Sequence, residues 1–318
     1  MINLQQLADK LKKERSVALL CHARPDGDCL GGACALKLAF EKLGIRAIVC
    51  SNDPVPERLL FLPEMKKVVT ALEENKEFSA ILAIDCADLT RLSEAQSFIK
   101  HKNTYNIDHH VSNQKFGNTN YVFDSAANCE NVFALINAMN VEIDCEIANL
   151  LALGIVTDTG FFRHKNVTED CLKTASELVE KGADLNMIGY HTFTKQTKER
   201  AKLFGMVMDK IRYFLDDRFA VATVSARDIE LSGAKADETE GFIDFIMGID
   251  TVEVGACVME VGANKYKISF RSKGTDVNAV ASRFGGGGHV LASGCQIAGE
   301  YEEVIDKITF AVSREIRD

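Results

Sequence analysis

Asp108, His109 and His110 stand consecutively behind the short apolar run 104–107. Upstream, His22, Asp26 and Asp28 follow the apolar run 17–21. Asp85 closes the run 80–84, and Asp158 follows the apolar stretch 150–156. Four times, then, a His or Asp is set at the end of an apolar segment. Such a pattern suits one site assembled from several strand ends. Imidazole and carboxylate together are hard-to-borderline ligands for Mn²⁺, Mg²⁺, Fe²⁺ or Zn²⁺. Their number suggests two ions rather than one.

Each cluster also has a plainer explanation. His22-Ala-Arg-Pro-Asp26-Gly-Asp28 contains the makings of a common Pro-Asp-Gly turn. Asp85 and Asp158 could be turn formers or helix caps, and His110 a loop residue. Four separate turn explanations would all have to hold, each at a residue able to bind metal, so the joint reading as a site outweighs them. A helix beginning near Cys29 would add its positive N-terminal end beside Asp26 and Asp28.

The elements that must carry these residues follow from periodicity. Residues 17–21, 47–50, 80–84 and 104–107 read as short strands without alternation. Helical patterns cover 30–43, 131–139, 145–156 and 169–180. Unalternating strands between helices indicate a parallel sheet with helices on both faces. Ligands bind such sheets at the carboxyl ends of strands, where His22, Asp85 and Asp108 fall.

The character changes after a polar helical stretch near 187–208. Hairpins are expected at 211–224 and 252–270, with helices near 239–247, 277–284 and 301–313. The expected domains are therefore 1–188, metal-binding and α/β; a linker helix, 189–209; and a smaller α/β domain, 210–318.

Composition bounds the function. Hydrophobic residues make up 47% and charged residues 26% of the 318, as expected for globular domains. No apolar stretch is long enough to span a bilayer, so no membrane is expected as a partner. Leu4, Leu7, Ala8 and Leu11 suggest an amphipathic helix and not a signal peptide, which places the protein in the cytoplasm. Ten cysteines include no C-x-x-C pair, and several lie in apolar segments, as reduced buried thiols do. A net charge of -9 argues against long duplex nucleic acid as a partner. It leaves room for a small anion, because bound cations reverse the field within one cleft.

A last feature is the run Gly285–Gly288 followed by His289. Consecutive glycines often form a flexible loop. Lying between helix and strand patterns, they could instead let backbone N–H groups approach an anion. Arg271, Arg283 and His289 would add donors, Arg in bidentate fashion.

The ordered set His-x-x-x-Asp-x-Asp, Asp, Asp-His-His, Asp resembles the DHH phosphoesterase superfamily. Phe284-Gly-Gly-Gly-Gly-His289, preceded by Ser269-Phe270-Arg271-Ser272, resembles its DHH-associated C-terminal domain. The pairing is most similar to the bacterial bifunctional oligoribonuclease and pAp (3'-phosphoadenosine 5'-phosphate) phosphatase subfamily, the nanoRNases. The resemblance implies that His22 and Asp26 hold one metal and Asp28, His109 and Asp158 the other, with Asp85 bridging. It implies Asp108 as an orienting residue and His110 as a contact to the nucleophile or scissile phosphate. It implies Arg271, Ser272, Arg283, Gly286, Gly287, Gly288 and His289 as substrate contacts, and Mn²⁺ as the usual metal. Ala23 and Gly32 stand where relatives often carry polar residues or Ser, and Asn128-Cys129-Glu130 where they often carry a Ser- or Thr-rich segment; no proposed ligand is lost.

The implied activity is two-metal hydrolysis of short oligoribonucleotides and pAp to nucleoside monophosphates. An alternative within the class is a phosphodiesterase of linear or cyclic dinucleotides. From another class, a non-catalytic nucleotide sensor would fit the fold, though intact ligands in every motif argue against it. Oligomeric state is left open, a homodimer included.

Overall fold

The computed structural model describes residues 2–72, 77–100 and 103–316. The chain divides into two compact units, 1–195 and 196–318.

The first unit contains helix α1 (Leu4–Leu11), strand β1 (Ser16–Leu20), α2 (Gly27–Lys42), β2 (Arg46–Cys50), β3 (Ala80–Ile84), β4 (Thr104–Asp108) and β5 (Thr119–Val122). After these come α3 (Asn128–Ala138), α4 (Cys145–Asp158), α5 (Glu169–Glu180) and α6 (Leu185–Gly189). Its five strands pair in parallel in the order β2-β1-β3-β4-β5. Strand β1 shows why the pattern does not alternate. Val17, Leu19 and Cys21 face the core formed with α1 to α4, while Ala18 and Leu20 face a second core with Cys86, Leu92 and Ala95. Both faces are covered, so both sets of side chains must be apolar. The cover differs between faces: α-helices on one, and 3₁₀ turns over Leu89–Lys100 on the other.

Helix α4 is buried all round from Ile147 to Val156, the mark of a central helix. It packs closely on α2 because Gly31 has no side chain. A Cβ there would overlap the Leu150 carbonyl oxygen. The strand order doubles back between β1 and β3, whose C-terminal ends lie side by side. That reversal is a topological switch point, and ligands of such sheets usually sit in the crevice outside the carboxyl ends of the strands there. Strand β5 escapes a sequence reading because Thr119-Asn-Tyr-Val122 is polar and only half-buried.

Where the sequence suggests one linker helix over 189–209, the chain takes a different path. Helix α6 ends at Gly189, Tyr190–Thr194 forms a π-helical turn, and α7 (Lys198–Met208) starts only after Thr197, whose hydroxyl caps it. Leu203 and Val207 of α7 are buried in a core of the second unit, so apolar burial ties this helix to that unit.

The second unit continues with β6 (Arg212–Phe214), β7 (Phe219–Val224), α8 (Ala226–Ser232), α9 (Phe242–Met247), β8 (Val254–Gly262), β9 (Lys265–Ser272), α10 (Val277–Ser282), β10 (Gly287–His289), β11 (Ala292–Ala298) and α11 (Tyr301–Ser313). Its sheet runs β10-β11-β9-β8-β7-β6, antiparallel except between β7 and β8. Both expected hairpins form, β6–β7 and β8–β9. No helix among the described residues is long and apolar enough to cross a membrane.

Candidate metal centre

Four chain segments meet at the crevice of the first unit. His22 follows β1, Asp85 follows β3, Asp108 ends β4, and Asp158 ends α4. Asp26 caps α2: its Oδ1 accepts from the N–H groups of Asp28 and Cys29, and its Oδ2 lies 3.7 Å from His22 Nε2. Asp28 points the other way, into the start of α3. Its carboxylate accepts from the Asn128 N–H at 2.6 Å and the Cys129 N–H at 2.8 Å. Two orphan helix N–H groups and the helix dipole therefore hold a fully buried carboxylate in place.

Asp85 is the hub. Its Oδ2 lies 3.5 Å from His22 Nε2, and its Oδ1 lies 3.4 Å from His109 Nε2 and 3.5 Å from His110 Nδ1. His109 Nε2 is also 3.6 Å from Asp158 Oδ2. These separations are long for hydrogen bonds. They suit pairs of ligands each about 2.1 Å from a shared ion. Asp85 Oδ1 is buried and has no hydrogen-bond partner, which an apolar or empty surrounding would make costly. A cation between the groups removes that cost. The Asp85 backbone adopts φ +53°, uncommon outside glycine but tolerated by Asp, as the chain turns off the end of β3.

The histidine tautomers suit the same role. His109 Nδ1 is 2.9 Å from the Ser125 carbonyl, and His22 Nδ1 is 2.9 Å from the Ala23 carbonyl. A proton on each Nδ1 leaves the Nε2 lone pairs facing the carboxylates, the arrangement metal-ligating histidines adopt. Asp108 does not orient His109. It accepts from His110 Nδ1 at 2.8 Å and from the Asn113 side-chain amide. Asn113 also reaches the buried Asn106.

Charge crowding gives the same answer as geometry. Burial, and then the charges of Asp85 and Asp26, raise the Asp28 carboxyl well above its ordinary range. Burial, then Asp28, Asp85 and Asp26, push Asp158 up to about 9. Burial alone would lower His22, but Asp85, the Ala23 carbonyl and Asp26 reverse this and leave it raised. The hydrogen bond that His110 donates to Asp108 raises His110. Asp108 stays below its usual value because hydrogen bonds from His110 and Asn113 outweigh its burial. So dense a set of buried carboxylates calls for positive charge among them. The residues present thus fit a divalent metal centre. His109, Asp28 and Asp158 form one compact group of ligand atoms; Asp85, Asp108, His109 and His110 form another. A third joins His22 and Asp85 with Cys29, whose thiol is bonded to the Ile84 carbonyl.

In the second unit, register decides which expected contacts share a surface. His289 pairs with Ala292, Ala292 with Arg271, and Arg271 with Gly255, so His289 and Arg271 stand on one face. Ser269 and Lys267 continue that face and, with Arg271, line a cavity of about 490 Å³. Ser272 lies on the opposite face, its hydroxyl bonded to the Thr275 carbonyl. Arg283 is engaged by Glu315 at 2.6 Å. Gly286 and Gly288 are required sterically: a Cβ on either would overlap β11, and Gly288 has φ +151°. Gly287 lies between them on the edge strand β10, whose outward N–H groups are left free of the sheet.

Four participants leave no sequence signal. The N–H groups of Asn128 and Cys129 are backbone. Asn113 is one polar residue in a polar loop. Arg91, whose guanidinium reaches His22 at 3.0 Å, lies in a mixed-charge segment with no spacing to mark it.

Comparison with known proteins adds identity to this geometry. Residues 16–155 match the N-terminal domain of the DHH family, and residues 216–318 match the DHHA1 domain. The bifunctional oligoribonuclease and PAP phosphatase NrnA of Thermus thermophilus is 31% identical over 321 residues, covering 98% of this chain and 94% of that protein. The Bacillus subtilis protein of the same name is 27% identical over 288 residues, 89% of each chain. An exopolyphosphatase-related protein of Bacteroides fragilis shares the fold at a TM-score of 0.86, with 24% identity over 98% of this chain and 95% of that one. An exonuclease RecJ bound to manganese shares it at 0.56, with 15% identity over 99% and 96%.

Proposed function

Because the chain belongs to the DHH family of phosphoesterases, we propose that it hydrolyses short oligoribonucleotides and pAp to nucleoside monophosphates in the cytoplasm, using two Mn²⁺ ions. The observation that carries this reading is the set of facing imidazole nitrogens and carboxylate oxygens, 3.4–3.7 Å apart, that includes the buried and unpartnered Asp85 Oδ1. The relatives named as oligoribonucleases and PAP phosphatases support the substrate class.

Divalent ions, when bound, would polarise the phosphoryl group and activate water at neutral pH. His22 and Asp26 would hold one ion and Asp28, His109 and Asp158 the other, with Asp85 shared between them. Asp108 holds His110 by its Nδ1, which leaves Nε2 free on a partly exposed ring. His110 is thereby positioned to hold or move a proton at Nε2 beside the scissile phosphate. In the second unit, Arg271 and His289 would take a phosphate of the nucleotide and the edge strand at Gly287 and Gly288 would offer backbone donors, whereas the Gly286 N–H is already bonded to the Ala281 carbonyl. Ser272 and Arg283 would act only indirectly, through the turn at Thr275 and the contact with Glu315.

The test is a substrate panel on chelator-stripped protein: pAp, pApA, short RNAs, cyclic dinucleotides and pyrophosphate, each with Mn²⁺, Mg²⁺, Zn²⁺ or none. Turnover of pAp and short RNA restored best by Mn²⁺ is expected. Equal activity in excess chelator, or turnover of pyrophosphate alone, would overturn the reading.

A further inference from the structure

Two contacts make opposite demands on one nitrogen of His22. The Ala23 carbonyl, 2.9 Å away, requires a proton on Nδ1. The Arg91 guanidinium, with Nη2 at 3.0 Å, has only donors and requires Nδ1 to be bare. Both cannot be met at once. The far side of the ring decides between them. His22 Nε2 faces Asp26 and Asp85 at 3.7 and 3.5 Å. Once that nitrogen gives its lone pair to a metal, the ring proton resides on Nδ1. The Ala23 contact is then satisfied, and the Arg91 contact becomes one donor against another.

Little else holds the guanidinium. Arg91 is an exposed residue, and no described carboxylate forms a salt bridge with it. Its other hydrogen bonds are backbone: its N–H to the Asp88 carbonyl, and its carbonyl to the Ala23 N–H at 2.7 Å. Those bonds fix the main chain of Arg91 beside the centre while the side chain can swing. An arginine freed there presents a fork suited to a phosphate, within a centre otherwise crowded with negative charge.

We propose that Arg91 is a substrate-phosphate contact of the first unit, released from His22 when His22 Nε2 takes a metal. Loading the centre and freeing the guanidinium are then one event, so the anion-binding group appears only when the cations are in place. This rests on the phosphoesterase reading and adds to it a residue of the first unit.

Calorimetry and kinetics on Arg91→Ala and Arg91→Lys separate the alternatives. Mn²⁺ titrated into stripped Arg91→Ala should bind at least as tightly as to the parent, since a competing contact is gone. Inorganic phosphate titrated into the Mn²⁺-loaded variant should bind about ten- to a hundredfold more weakly, and kcat/KM for pAp should fall by a similar factor. Arg91→Lys should fall between, keeping charge but not the fork. Unchanged phosphate binding overturns the proposal. So does Mn²⁺ binding weakened in parallel with phosphate, which would make Arg91 a support for His22. A parent that binds phosphate through Arg91 yet hydrolyses nothing in the panel would sink the phosphoesterase reading and leave this one standing.

Discussion

The Asp85 carboxylate faces three imidazoles, and its Oδ1 has no hydrogen-bond partner, so its substitution separates the centre from the fold. Asp85→Asn is expected to fold, because the carboxylate supports no structural hydrogen bond. Mn²⁺ uptake should fall and turnover should drop more than a hundredfold, beyond what loss of a supporting residue costs. Near-parental activity in a folded variant would remove Asp85 from its shared role. At this scale the sequence was informative for the His and Asp side chains and silent for those of Asn113 and Arg91. His22, Asp26, Asp28, Asp85, Asp108, His109, His110 and Asp158 all stand out by type and spacing, and the structure gathers them. Asp108 is the instructive case: an acceptor was expected, but its partner is His110, because the turn after β4 brings Asn113 and His110 to its two oxygens. The N–H groups that hold Asp28 were invisible, since every residue carries one.

The elements act as spacers of fixed length between the four segments. Helices α2 and α3 both lie so close to α4 that a Cβ on Gly154 would overlap Cys129 Sγ of α3 and press on Asp28 Oδ1 of α2. Gly154→Ala should therefore cost about 1–3 kcal/mol of stability and also weaken Mn²⁺ binding. Chemical denaturation and metal titration check the two effects; stability loss without any change in Mn²⁺ affinity would mean the strain bypasses Asp28. In the second unit, Asp228 completes a capping box at α8 with Ser225 and pairs with Lys210. Its burial is outweighed by these partners, so its pKa is lowered. That stabilisation is present above the unfolded carboxyl value of about 3.9 and is lost as pH falls through the lower folded one. The parent should lose more Tm than Asp228→Asn between pH 5 and pH 2.5; parallel curves would refute this. Strands and long helices were legible because both faces of the first sheet are apolar. Strand β5 and the break at 190–197 were not, since one is half-polar and the other ends where apolar burial changes core.

For the whole molecule, the division between units predicts a division of kinetic effects. Arg271→Ala and His289→Ala should lower kcat/KM on pAp about ten- to a hundredfold, the worth of a charged hydrogen bond. They should barely alter hydrolysis of bis-p-nitrophenyl phosphate, whereas His109→Ala should impair both substrates. Parallel losses in the second-unit variants would move those residues into the catalytic centre. The change in pattern past residue 208 points to a second unit, but that unit already begins at 196, with α7 packed into its core. The face shared by Arg271 and His289 was not legible, since it depends on the register of three strands. The proposed ligands run from His22 to Asp158 along the chain. No short stretch of the unfolded polypeptide can gather them, so cations held by the whole set would favour the native state over the denatured one. Mass action then makes divalent ions a determinant of lifetime as well as turnover: at a hundred times the dissociation constant they add about 2.7 kcal/mol to the folded state. A cell short of the metal would hold not merely idle copies of this protein but fewer of them, as proteases take the chains that open.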